Sequence, residues 1–143
     1  MKKFLLILLL ISLLCACAPK ETAGDMTATI TVDVLPAMET PELIPEEKSP
    51  LIPEDGILLK KEVNFSEGET AYDVALRTFK AEKLHYDADS TKYFLAIGNL
   101  YAGDCGEMSG WLYSVNDESP TVGASQYILQ EGDTVRFYYV TTF

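Results

Sequence analysis

Apolar and polar positions alternate at several places along the chain. Over Thr29 to Val34, Ile30, Val32 and Val34 take one parity and Thr29, Thr31 and Asp33 the other, which predicts a strand. Ile57 to Phe65 predicts a second, with Leu59, Val63 and Phe65 in phase and Lys61 as an exposed interruption. The period then changes. Tyr72, Ala75, Leu76 and Phe79 stand at i, i+3, i+4 and i+7, one face of a helix. Thr70 is placed to cap its N-terminus with Asp73 as partner, and Arg77, Lys80 and Lys83 suit its C-terminal dipole. The helix should stop by Lys83 or Leu84. Tyr93 to Tyr101 is an apolar stretch with a strand centred near Leu95 and Ile97, ending at Asn99. Trp111, Tyr113 and Val115 alternate with Leu112 and Ser114, and Val135, Phe137 and Tyr139 with Thr134, Arg136 and Tyr138. Turn residues separate these last segments: Asn116 to Pro120, then Gly123, then Glu131-Gly132-Asp133. One helix among several strands predicts an α+β fold, a small mixed sheet with the helix packed on one face.

Two stretches stand outside this pattern. Pro36 to Pro53 holds five of the seven prolines with several acids, and should be extended and exposed. Either Thr29 to Val34 belongs to the domain, with an acidic insertion at 36–55 after it, or the domain starts near Asp55; the alternation favours the first. At the N-terminus, Lys2 and Lys3 precede an apolar run from Phe4 to Leu14, shorter than a membrane-spanning helix requires and suited to a signal peptide. Leu14-Cys15-Ala16-Cys17 matches a bacterial lipobox. We therefore expect residues 1–16 to be a lipoprotein signal peptide, Cys17 to be lipidated, 17–27 to be a tether and 28–143 to be the domain. An ordinary secretory signal cut nearby is the alternative. Either places the domain outside the cytoplasm, and the lipid would anchor it to a membrane without spanning it.

Charge changes the picture by exclusion. Cleavage before Cys17 removes Lys2 and Lys3, two of the 11 Lys and Arg, and shifts the net charge from −11 to −13. An acidic chain without a basic stripe disfavours nucleic acid as a partner. Candidate chemistry is sparse. His85 is the one histidine of the chain. A Cys105–His85 dyad would need two separate segments to meet, and Cys105 otherwise reads as a free or intermolecular thiol. Asp87, Asp89 and Thr91 alternate like the start of a calcium loop, but Lys92 stands where that loop needs glycine and Gly98 where it needs the bidentate Glu. We assign no catalytic residue and no metal ligand, and read a binding protein rather than an enzyme.

Three motifs in fixed order carry a resemblance: Ser109 to Asn116 (SGWLYSVN), Val122 to Tyr127 (VGASQY) and Glu131 to Val135 (EGDTV). Together they resemble the transcobalamin-like C-terminal domain found in bacterial surface proteins, and the similarity extends back to about Ala28. Phe137 stands where that family often has Trp, and Asn116-Asp117 where it usually has Asn-Gly. The resemblance implies a β-grasp-like fold. It also implies a module that binds or caps a small ligand, as the corresponding domain does over cobalamin in transcobalamin and intrinsic factor, so a corrinoid is the candidate ligand. Carried over residue by residue, it points to Gly110, Trp111, Leu112, Tyr113 and Asn116 on the Trp strand, and to Gly123, Ala124, Ser125 and Tyr127 in the loop beyond. Aromatic faces and close-approaching backbone suit such a ligand. Trp111 and Tyr113 could equally form the core under the helix, and Gly103, Gly106, Gly110 and Gly123 could be turn residues at positive φ. The competing function is an envelope protein–protein interaction or structural module without a small ligand. A membrane through the lipid anchor and an uptake-system or surface protein are the expected partners.

Overall fold

The computed structural model describes residues 24–143; the expected signal peptide, Cys17 and most of the expected tether lie outside that range. The order of elements is β1 (Met26–Asp33), α1 (Leu35–Met38), two short 3-10 turns, β2 (Ile57–Phe65), α2 (Ala71–Ala81), β3 (Tyr86–Ala88), β4 (Phe94–Ile97), β5 (Leu100–Tyr101), β6 (Gly110–Val115) and β7 (Thr134–Val140). The fold is α+β, as the alternation and the single long periodic segment predict. Among the described residues the strands form a four-stranded sheet in the order β2-β1-β7-β6 and a three-stranded sheet in the order β3-β4-β5. The large sheet is mixed. β1 and β7 run parallel at its centre, and both outer pairs are antiparallel.

One face of the large sheet carries the core. Ile30 and Val32 of β1, Val135, Phe137 and Tyr139 of β7, and Trp111 and Val115 of β6 are buried on it. Against them α2 sets Val74, Ala75 and Phe79, all fully buried. Phe94 from the small sheet joins the layers. Its ring lies 4.8 Å from Tyr72, 5.2 Å from Phe79 and 5.3 Å edge-on from Phe137. The opposite face holds the ion pair of Asp33, 1% exposed, with Arg136, whose Nε and Nη2 donate to the two carboxylate oxygens at 2.5 and 2.8 Å.

Helix α2 follows its local signals. Thr70 Oγ1 accepts from the N–H of Asp73 at 3.1 Å. At the other end the N–H of Leu84 returns to the carbonyl of Phe79 at 2.9 Å, and Lys83 takes the left-handed conformation at φ 56° that closes such a cap.

Three stretches gain detail or correction from the structure. The strand expected near Leu95 and Ile97 is β4, and beyond it Gly98, at φ 62°, folds the stretch into the β4–β5 hairpin. Asp87 sits on β3, and Asp89 Oδ1 accepts from Thr91 N, Thr91 Oγ1 and Tyr93 N at 2.8, 2.6 and 3.1 Å, so that carboxylate organises a tight turn. The Pro-rich stretch is not wholly extended and exposed. Pro36 occupies the first turn of α1, where a missing N–H breaks no helical bond, and Ala37 is fully buried. Lys48 secures its far end, donating to the carbonyl of Asn99 at 2.7 Å.

Candidate functional site

Strand β6 forms one edge of the large sheet, and beside it opens a cleft of about 440 Å³. Trp111, Leu112 and Tyr113 make the strand wall; Phe137 and Tyr138 extend it into β7. Thr91 to Phe94 close one side, and Ser119, Pro120 and Gly123 to Ser125 the other. The size falls within the range of small-molecule sites.

The cleft straddles the strand edge. Tyr113 pairs with Phe137 on the core face, and Leu112 with Tyr138 on the opposite face. Leu112 and Tyr93 are 37% and 38% exposed, large apolar surfaces left to solvent beside one another. Two phenols are anchored at their tips. Tyr93 donates to the carbonyl of Trp111 at 2.8 Å, and Tyr113 donates to the carbonyl of Val122. Burial pushes both phenols above the ordinary tyrosine value, so both are neutral donors at physiological pH. Lys92 supplies a cation at the rim, 5.6 Å from the ring centroid of Tyr72 and 3.7 Å from Asp73.

The far wall is held by a device that the motif spacing does not reveal. The carbonyls of Ala124 and Tyr127 accept the N–H groups of Tyr72 and Ala71 at 3.0 and 2.9 Å. The first turn of a helix has donors without partners inside the helix, and this loop satisfies two of them. The cleft wall is thereby tied to α2.

Of the residues that the resemblance points to, Trp111, Leu112, Tyr113, Gly123, Ala124 and Ser125 border the cleft. Gly110, Asn116 and Tyr127 do not. Trp111 is 1% exposed, and its indole N–H donates to the carbonyl of Leu100 at 2.9 Å, so its ring belongs to the core under the small sheet. An ideal Cβ on Gly110 would lie 2.8 Å from the Phe143 ring and 3.3 Å from the Tyr93 hydroxyl. That glycine admits close neighbours. Neither Gly110 nor Gly123 has positive φ, whereas Gly103 and Gly106 do, at 89° and 115°. Asn116 works in the scaffold. It lies at φ 52° with Asp117 at 65°, a two-residue turn closed by Val115 and Glu118. Its amide donates to Asp133 Oδ1 at 2.8 Å and accepts from the N–H of Thr134 at 2.9 Å. Through Asn116 and Asp133, the first and third motifs hold each other. Thr91 to Phe94 and Tyr138 escaped sequence reasoning, because the small sheet and the β6–β7 register bring them to the cleft.

Cys105 and His85 do not form a hydrogen-bonded dyad. Cys105 is buried, burial pushes its thiol up, and its backbone N–H is held by Ser109 Oγ at 3.1 Å. His85 Nε2 instead meets the Tyr101 hydroxyl at 3.1 Å. Among the described residues no three His, Cys, Asp or Glu side chains gather as a metal site would require.

No curated protein matches the chain. Among solved structures, haptocorrin in complex with Cbi (cobinamide) superposes with a TM-score of 0.60 at 12% identity, over 90% of this chain and 29% of that one. The chain thus spans less than a third of haptocorrin's length, and at this identity the likeness is one of fold. A candidate metal binding protein from Ruminococcus gnavus ATCC 29149 superposes with a TM-score of 0.48 at 12% identity, over 83% of this chain and all of the other. The family of domain of unknown function DUF4430 matches residues 68–141, from the turn before α2 to the end of β7. That match takes in α2 and every wall of the cleft, and the chain belongs to the DUF4430 family.

Proposed function

We propose that this chain is a lipid-anchored extracytoplasmic module that binds or caps a small ligand in the cleft beside β6, with a corrinoid as the first ligand to test. One observation carries the reading: Leu112, Tyr113, Gly123, Ala124 and Ser125, drawn from two motifs, converge on one cleft with exposed apolar walls. The fold shared with a segment of haptocorrin, a protein seen with cobinamide, supports the choice of ligand. The cleft is open on one side and would cover part of a large ligand. The match spans 29% of haptocorrin's length, so tight closure over a corrinoid would call on surfaces beyond this domain. The proposal assigns no catalytic step. Binding would rest on apolar contact with Leu112, Tyr138 and Pro120 and on the Lys92 ammonium at the rim.

The test is calorimetric titration of the full chain with cobinamide and with cobalamin. Saturable heat that falls at least tenfold in affinity in Leu112→Glu supports the reading. Absence of heat with both corrinoids removes the corrinoid, and equal affinity in Leu112→Glu removes the cleft. Trp111 fluorescence is a poor substitute, because the indole is buried and bonded to the Leu100 carbonyl.

A further inference from the structure

The hydrogen-bonding edge of β6 is free at one place. In an antiparallel pair, alternate residues direct their N–H and C=O groups to opposite sides. The N–H of Asn116 donates to Thr134 in the β7 direction, so Leu112 and Ser114 also face β7 and the odd-numbered residues face away. Most of the outward groups are used. Val115 exchanges both bonds with Glu118, at 2.8 and 3.0 Å, and the Trp111 carbonyl accepts from the Tyr93 hydroxyl. Among the described residues, the N–H of Trp111 and both the N–H and C=O of Tyr113 have no partner. They lie on the cleft wall.

We propose that Tyr113 offers its backbone N–H and C=O as a subsite for an amide group of the ligand. The inference rests on reading the cleft as the ligand site. The Tyr113 N–H would donate to the ligand's amide oxygen, and the Tyr113 carbonyl would accept from the ligand's amide N–H. The window favours a single amide over an added peptide strand. It is closed at one end by the Tyr93 hydroxyl and at the other by the Asn116-Asp117 turn, whereas strand addition needs a run of free groups. The phenols beside it are already committed to Trp111 and Val122, which leaves the backbone of Tyr113 as the donor–acceptor pair on this wall. A ligand entering edge-on would rest its apolar body between Leu112 and Tyr138 on one side and Tyr113 and Phe137 on the other.

The test uses the uniformly nitrogen-15-labelled full chain and two probes of nearly equal apolar bulk, benzamide and N,N-dimethylbenzamide. The dimethyl compound keeps the carbonyl and lacks the N–H donors. The subsite requires saturable downfield shifts of the Trp111 or Tyr113 amide with benzamide, and about three- to tenfold weaker binding of the dimethyl compound, the effect of one net hydrogen bond. A parallel calorimetric titration with cobinamide separates the two readings. Cobinamide binding with unshifted Trp111 and Tyr113 amides, or equal affinity for the two benzamides, overturns the amide subsite and leaves the cleft as ligand site. No binding of cobinamide or of either benzamide overturns both.

Discussion

Tyr139 shows how much of this domain rests on single polar tips inside an apolar layer. Its ring meets Trp111 edge-on at 5.3 Å, and its hydroxyl bonds to Ser109 Oγ at 2.9 Å and to the Tyr101 carbonyl at 2.5 Å. Burial pushes its pKa from 10.0 up to about 12. The fold therefore prefers the protonated phenol. That preference is fully present below pH 10 and is lost as the pH rises towards about 12, because the unfolded chain ionises first. Unfolding midpoints in urea should fall across this window and fall less steeply in Tyr139→Phe. Tyr72, Tyr93, Tyr113 and Tyr127 are shifted in the same direction by burial, so the slope should shrink without vanishing. An unchanged slope in Tyr139→Phe would contradict this account of the phenol.

At the scale of elements, turns that splice the motifs together are as important as the strands. Asn116 combines a left-handed backbone with two side-chain bonds to the Glu131-to-Thr134 turn. Asn116→Ala should cost on the order of 2–3 kcal/mol, measured by urea unfolding, by losing both bonds and straining the backbone. Asn116→Gly should cost less, since glycine accepts that φ. An equal cost for the two would show that the backbone conformation contributes nothing. Much of this level was legible in the chain. Strand β2 and helix α2 carry their signals locally, in alternation, an N-cap and a 3.6-residue period. The β4–β5 hairpin was not legible, because Phe94 to Tyr101 is largely apolar and its turn depends on Gly98 alone. Helix α1 was hidden by the prolines around it, one of which stands at a helix start where proline is tolerated. The strand wall of the cleft and its Gly123-to-Ser125 loop were legible as motifs. The Thr91-to-Phe94 wall was not, since it reaches the site through long-range contacts, the packing of Phe94 between α2 and β7 and the Tyr93 bond to Trp111.

At the scale of the molecule, an acidic domain would sit on a lipidated tether with its cleft at the free edge of the sheet. Export and anchoring through Cys17 make a direct prediction. Cys17→Ser should move the protein from the membrane fraction to the soluble or uncleaved form, and mass spectrometry of the native protein should find acyl chains on Cys17. A native N-terminus without lipid would point to an ordinary secretory signal instead. The ligand site makes the other. Amide hydrogen exchange of the full chain, with and without saturating cobinamide, locates binding without any tag or mutation. The expected result is slowed exchange confined to residues 91–94, 111–113 and 122–125. Protection at the other edge, between β2 and α2, or no protection anywhere, would contradict the cleft beside β6 as the corrinoid site.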